Sequence, residues 1–366
     1  MSGPMPGPLQ GLKIVEMAGI GPAPFAGMML ADHGAEVIRI EREGLIGIPK
    51  DPLLRSRRSI ALDLRNDRGR EVVRRLAGRA DGLIEGCRPG VMERLGLGPD
   101  VLLGANSKLV YGRVTGWGQD GPLSATAGHD IDYLAITGLL HGIGSKERPV
   151  VPINYLADFA GGGMMLAFAM TAALVAVQRG GEGQVVDCAM SDGAALIGAL
   201  TYGMRAAGLW RDERESNLLD GGSATYGVFE CSDGKFLALG AIEPQFRAAL
   251  LESLGLSEDA GKDEVAGAVA MRSRDDWVGR FAGSDTCVAP VLTLGEAPDH
   301  PHNRVRGTFM DLDGVVQPAP APRYSRTTLA DPAPPRTAGA DGEAILGELG
   351  YSAGDITQLR REGALR

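Results

Sequence analysis

The stretch Leu12–Glu41, LKIVEMAGIGPAPFAGMMLADHGAEVIRIE, decides the fold. Leu12–Met17 is a short apolar run of strand type, Pro24–His33 has helical spacing and stops at Gly34, and Glu36–Glu41 is a second strand. Two strands joined by one helix make a βαβ unit, which places the strands parallel in one sheet. The pattern repeats outward. Ser59–Leu64 (SIALDL) reads as a third strand, Asp67–Arg79 as an arginine-studded amphipathic helix, and Leu83–Glu85 and Lys108–Val114 as further strands. Strands alternating with helices predict an α/β domain with a mostly parallel sheet. Gly19-Ile20-Gly21 after the first strand imitates a dinucleotide fingerprint, but Pro24 replaces its third glycine and Pro22 interrupts the turn. Those glycines let the backbone approach a pyrophosphate, so NAD binding is not expected.

Beyond residue 180 the pattern changes. Gln184–Asp187 and a helix over Gly193–Leu209 lead to the polar stretch Trp210–Gly222, which reads as a linker. Thr225–Cys231 and Lys235–Leu239 flank Ser232-Asp233-Gly234, a hairpin signal, and helical stretches to Ala282 precede a strand near Val288–Leu292. This predicts a smaller α+β domain. Proline-rich PAPAPR and DPAPPR segments predict an extended connector over Val316–Arg336. In the tail, two short helices meet at Gly350-Tyr351-Ser352, with Gly350 suited to a C′ position and Ser352 with Asp355 to a capping box. The expected boundaries are a large domain over 1–190 completed by 337–366, a helical linker over 191–223, a small domain over 224–310 and a return linker over 311–336.

A chain of 366 residues with 44% hydrophobic and 23% charged residues supports two domains with a substantial core. A net charge of −9 argues against nucleic acid as a partner. Arginine outnumbers lysine, and its planar fork suits phosphate, so a small phosphorylated ligand fits better than a polyanion. The four cysteines are scattered without a C-x-x-C pair, which points away from a metal cluster and towards a reducing, cytoplasmic setting. Met1–Gly11 lacks the basic and apolar regions of a secretory signal. Ala160–Val177 carries no charge over 18 residues, the lower edge of a membrane span; its glycines and alanines favour a buried core helix instead.

Three residues stand out as carriers of chemistry. His129 lies in Gly128-His129-Asp130-Ile131-Asp132-Tyr133, and a histidine beside two carboxylates titrates near neutrality. Asp158 sits in Tyr155–Gly163 (YLADFAGGG) among apolar neighbours, where it suits either a helix N-cap or an acid/base group of raised pKa. The amides of Gly161–Gly163 are candidates for holding an oxyanion. Glu243 precedes Pro244 at a helix start, a common arrangement without any function. Arg42, Arg57, Arg58, Arg65, Arg88 and Arg94 follow strand ends in the first domain, where α/β sheets bind ligands.

Together these segments resemble the type III CoA-transferase family over nearly the whole chain. The resemblance rests on the opening stretch with Arg42, then ALDLRNDRG, DGLIEGCRPGVMERLGLG, VTGWGQDGP, LADFAGGG, GAIEPQF and ILGELGYSAGDITQLRREGAL, in that order. The run GHDI-x-Y at Gly128–Tyr133 resembles the racemase branch of that family, whereas its transferases generally carry an aromatic residue in place of His129. The resemblance implies that 2-methylacyl-CoA thioesters are epimerised by proton transfer, with His129 and Asp158 facing each other across the α-carbon. It implies that Glu243 of a second subunit pairs with His129. It also implies that Arg42 packs on the adenine, that Leu62, Asp63, Leu64 and Arg65 line its pocket, and that Gly86, Cys87, Arg88 and Arg94 approach the phosphates. Cys87 departs from the aromatic residue common in this branch, which weakens that one contact. The implied assembly is an interlocked dimer of ring-shaped subunits, each with a Rossmann-like and a small domain, and no cofactor beyond the CoA of the substrate. The rival readings are a transferase in which Asp158 attacks the thioester, and a CoA-binding protein without catalysis.

Overall fold

The computed structural model describes residues 6–41 and 48–366. β1 (Lys13–Met17) turns through Gly19-Ile20-Gly21 into α1 (Pro22–Asp32), and β2 (Glu36–Glu41) follows. The helix opens at Pro22, two residues before the expected Pro24, because a proline at the first helical position loses no hydrogen bond. β3 (Arg57–Ala61) stops short of Leu64; Leu62 instead bridges to Leu365. Next come α2 (Asp67–Ala77), capped by the Asn66 side chain, β4 (Gly82–Glu85), α3 (Val91–Arg94), α4 (Pro99–Ala105), β5 (Val110–Thr115), α5 (Asp130–Ile136) and α6 (Leu139–Gly142). A π-helix over Tyr155–Met164 runs straight into α7 (Met165–Gln178), and β6 (Val185–Ala189) leads to α8 (Met190–Ile197) and α9 (Ala199–Ala206). The single helix expected over Gly193–Leu209 is thus divided at Gly198.

The remaining elements are β7 (Tyr226–Glu230), β8 (Phe236–Gly240), α10 (Pro244–Leu254), α11 (Lys262–Val269), α12 (Arg274–Phe281), β9 (Val288–Pro290), α13 (Pro301–Arg306), β10 (Phe309–Leu312), β11 (Val315–Pro318), α14 (Gly342–Glu348) and α15 (Ala353–Arg361). The proline-rich connector opens on a β-hairpin that the composition concealed. Asp313 and Gly314 both have positive φ (55° and 80°), as a tight two-residue turn requires. In the tail, Gly350 is left-handed and the Ser352 hydroxyl accepts from the Asp355 N–H, the predicted capping arrangement.

Two compact units result. The first gathers the chain up to Thr137, Ile153–Ile197 and Gly307–Arg366; the second gathers Gly138–Pro152 and Gly198–Arg306. The first is α/β, as expected. Its six strands are all parallel in the order β3-β2-β1-β4-β5-β6, the Rossmann arrangement. The strand order reverses between β1 and β4, so the loops at their carboxyl ends diverge and leave a crevice. C-terminal residues Ile345, Leu346, Leu359 and Leu365 share one core with Ile40, Ile60 and Val72. The second unit has an antiparallel sheet, β7-β8-β9, over a core including Leu237, Leu250, Val265 and Trp277.

The Tyr155–Gln178 helix is long and apolar enough to cross a membrane by length and composition, a test that core helices also pass. One face, with Leu166 and Met170, lies against the sheet, where these side chains occupy the space that a side chain at Gly112 would need. The other face leaves Met164 and Phe168 exposed.

Gly161, Gly162 and Gly163 lie inside the π-helix and are buried. A Cβ on each would stand 2.7–2.8 Å from Ala194 N, Met190 Cγ and Phe25 Cδ1 respectively, so their bare faces let α8 and α1 approach. Gly193 reciprocates, with its missing Cβ only 1.9 Å from the Gly161 carbonyl oxygen. Gly193→Ala is expected to cost about 1–3 kcal/mol, because the obstacle is backbone rather than a flexible side chain. Gly267→Ala, in α11 with open space around it, should instead gain about 0.4–1 kcal/mol. Thermal or urea unfolding of the two variants measures the contrast.

Candidate active site

At the crevice of the first unit lies a cavity of about 620 Å³, lined by Gly19–Pro22 and Arg39, by Gly86–Pro89, and by Trp117, His129 and Asp158. Location and lining agree: this is where a doubly wound sheet binds its ligand.

His129 occupies the N-cap position of α5, and its backbone N–H donates to the Asp132 carboxylate at 2.9 Å. Asp158 sits in the first turn of the π-helix, not at its cap; Asn154 holds that position, and its amide donates to Asp158 Oδ2 at 3.1 Å. A buried carboxylate joins the two elements. Oδ2 of Asp130 accepts the N–H groups of Ala157 (2.7 Å) and Asp158 (2.8 Å), and Asp130 itself is 5% exposed. Its Oδ1 has no hydrogen-bond partner among the described residues. Tyr133, one turn into α5, is buried, donates to the Gly128 carbonyl at 2.5 Å and meets Trp117 edge-on at 4.7 Å. A side chain at Gly128 would collide with both rings.

Burial pushes the Asp158 carboxyl above the ordinary aspartate range; the Asn154 hydrogen bond opposes the shift, the nearby Asp130 charge adds to it, and His129 opposes it. The Tyr133 phenol is pushed up to about 12, first by burial and then by Asp158, Asp132 and Asp130. A carboxyl with raised affinity for a proton, lining the same cavity as an imidazole, is equipped for general acid/base work.

Next in sequence to the lining residues Gly86–Pro89, Glu85, fully buried at the end of β4, accepts the Cys87 N–H at 2.6 Å and the Arg113 Nε–H at 2.8 Å. Burial raises the Glu85 carboxyl, against those two donors. Arg113 also reaches Glu93, so one ion-pair chain fixes the Gly86–Cys87–Arg88 turn. The Arg88 guanidinium lines the cavity and makes no hydrogen bond or ion pair with a described residue.

Other predicted residues stand elsewhere. Arg94 is exposed beside Gly90, off the cavity lining, and Ile131 and Asp132 also lie outside it. Leu62 is core, and Asp63 is bound by Arg65 and Arg366, which hold its carboxyl well below the usual range. Arg57 and Arg58 are committed to carboxylates, Arg57 to Glu16 and Arg58 to Glu36 and Glu348. Arg42 lies outside the described residues. Glu243, in the second unit, is exposed at the N-cap of α10. The glycine amides proposed as an oxyanion cradle are excluded by their place inside a helix that packs on α1 and α8. Sequence reading missed Asn154, Trp117, and the Arg39–Glu16 pair. For the last there was a signal, since charges inside parallel strands, which are buried on both faces, need partners.

A family model described as CoA-transferase family III matches residues 9–342. The chain is 44% identical to the alpha-methylacyl-CoA racemase of Mus musculus over 97% of this chain and 96% of that one. It is 42% identical to the Homo sapiens protein of the same name, with the same coverage. A crystal structure of a CAIB/BAIF family protein from Brucella suis superposes with a TM-score of 0.82 at 27% identity, covering 94% of this chain and all of that one.

The raised Asp158 pKa yields a stability test. Between the ordinary value of about 3.9 and the higher folded value, the native state binds more protons than the unfolded chain. The stability this group contributes is therefore present at low pH and lost as pH rises through the folded value. Asp158→Asn, which cannot ionise, should match the wild type in melting temperature below about pH 3 and exceed it at neutral pH. A parallel pair of melting curves across pH would contradict the assignment.

Proposed function

The chain belongs to CoA-transferase family III, and from that premise we propose that it interconverts (2R)- and (2S)-2-methylacyl-CoA thioesters by proton transfer at C2. The observation that carries the reading is that His129 and Asp158 line one cavity, with their two helices tied together through Asp130. Inverting a carbon requires one base to take the proton from one face and one acid to return a proton to the other. Imidazole and carboxyl can hold complementary protonation states near neutrality, and the upward shift of Asp158 narrows the gap between them. The intermediate is a thioester enolate. Its charge would form at the amino end of the continuous Tyr155–Gln178 helix, whose dipole favours an anion. Arg88 supplies a cation for a CoA phosphate, and the CoA of the substrate is the only nucleotide the reaction calls for.

The dimer and the setting belong to the same proposal. The uncovered stripe of α7, with Phe168 70% exposed, together with Leu196 and Ile197 of α8, suits a second copy of this chain. In that assembly Glu243 of the partner subunit would pair with His129 and set its tautomer. Four free cysteines fit a reducing, cytoplasmic setting.

A single 2-methylacyl-CoA epimer incubated in deuterated water should gain one deuterium at C2 and lose optical purity. His129→Ala and Asp158→Ala should each lower that rate by roughly 100- to 10,000-fold. Acyl transfer to an added carboxylate without label at C2 would replace the racemase reading by a transferase in which Asp158 is the nucleophile. Heterodimers refolded from His129→Ala and Glu243→Ala subunits should recover activity; verified heterodimers that stay inactive would remove the shared site.

A further inference from the structure

One lining residue, Arg39, belongs to a group of buried charges to which the proton-transfer scheme assigns no role. Glu16 of β1 is 0% exposed, Arg39 of β2 is 1% exposed and Arg57 of β3 is 3% exposed. They sit on three adjacent strands in the order that the sheet dictates, so one carboxylate meets two guanidinium groups. Oε1 of Glu16 accepts from Arg39 Nη1, and Oε2 accepts from Arg57 Nε at 3.0 Å. Each arginine also holds a backbone carbonyl of the segment that runs from the end of β1 into the first turn of α1, while Arg39 Nε donates to Glu41 and Arg57 Nη1 to the Arg55 carbonyl. Arg39 Nη2 donates to the Gly19 carbonyl at 3.2 Å, and Arg57 Nη2 donates to the Pro24 carbonyl at 2.5 Å. The helix is pressed onto the cluster, since a Cβ on Gly27 would lie 2.3 Å from Glu16 Oε2.

The loop so anchored is the one that covers Asp158. Gly21 has φ +67°, and a Cβ on it would lie 3.6 Å from Asp158 Oδ2. Phe25 of α1 meets Phe159, the residue after Asp158, with ring centroids 5.1 Å apart. Arg39 also lines the cavity. We propose that Arg39, fixed by Glu16, is a positioning residue of this active site: through the Gly19 carbonyl it holds the Gly19–Gly21 loop over the Asp158 carboxylate and keeps water from it. A lysine in its place would keep the charge for Glu16 and lose the planar fork that reaches Glu16, Glu41 and the Gly19 carbonyl together.

The groups facing Asp158 are Asn154 at the cap of its own helix, His129 and Asp130 at the start of α5 and the Tyr133 phenol one turn further on, and none of them touches Arg39. Asp158 therefore reports on the loop alone when Arg39 is changed. The test is a ¹³C NMR titration of the aspartate carboxyl carbons, with the Asp158 signal assigned by its loss in Asp158→Asn, run on the wild type and on Arg39→Lys. In Arg39→Lys the Asp158 midpoint should fall towards the ordinary aspartate range. Turnover should fall about 10- to 100-fold with KM for acyl-CoA changed less than about threefold, since about 1 Å of misplacement has that scale of effect. The midpoint does not depend on the reaction assigned above, so it judges Arg39 even if the wild type labels no acyl-CoA. A folded Arg39→Lys protein with the wild-type midpoint would overturn the proposal. If Arg39→Lys does not fold, Arg39→Gln takes its place, since its amide can still donate to Glu16 but cannot also reach the Gly19 carbonyl. Its Asp158 midpoint should fall likewise, and an unchanged midpoint there would overturn the proposal equally.

Discussion

One carboxylate oxygen sets the geometry of the cavity. Oδ2 of Asp130 accepts the N–H groups of Ala157 and Asp158, two of the four donors that open any helix without internal partners. It satisfies that need from the start of a different helix, the one that follows His129. The distance between the two proposed acid/base groups is thereby fixed by hydrogen bonds to backbone rather than by flexible side chains. Hydrogen bonds to a charged acceptor are worth about 1.5–3 kcal/mol each, and more is lost when a buried donor is left without its acceptor. The arrangement also acts on chemistry. The Asp130 charge adds to burial in raising the Asp158 carboxyl, so the clamp and the tuning are the same atom group.

The sheet contributes through the ends of its strands. Glu16 in β1 and Glu85 at the end of β4 flank the point where the strand order reverses, and both are fully buried. Each is matched by arginines from neighbouring strands, Arg39 and Arg57 for Glu16 and Arg113 for Glu85. Ion pairs of this kind repay their desolvation poorly as stabilisers, and hydrophobic replacements often serve stability as well. Their value here is in direction. From these strands the guanidinium and carboxylate groups reach backbone carbonyl and N–H groups in both loops that line the crevice, something an apolar core cannot do.

Periodic features were legible in the sequence. The βαβ pattern from Leu12 to Glu41, the hairpin at Ser232-Asp233-Gly234 and the capping box at Ser352 are written in local periodicity and turn residues, and the structure holds all three, with α1 opening two residues earlier than expected. His129 and Asp158 were legible as candidates because a titratable group among glycines and apolar residues is locally unusual. What was not legible depends on contacts between distant segments. The glycines at 161–163 suggested free amides, yet their use is steric, set by α8 and α1 arriving from other parts of the chain. The partners of Leu62 and Asp63 are of this kind: Leu62 bridges Leu365 and Asp63 pairs with Arg366, some 300 residues away. The Asp313-Gly314 hairpin was a local signal overlooked among prolines.

The π-helix joins the carboxylate to the packing of the helices around it. An i to i+5 turn is wider than an α-turn and is retained where a site needs it. Here it brings Asp158 to the cavity in its first turn while three consecutive glycines face outward to receive other chain segments. Side chains at those positions would force α8 and α1 away. Met190, Pro22 and Phe25, which now fill the space, would move with them, and Pro22 and Met190 are cavity walls. The run Asp158-Phe159-Ala160-Gly161-Gly162-Gly163 therefore reads as one device. The carboxylate needs an enclosed cavity, the cavity needs two helices at close range, and close range needs the absence of side chains.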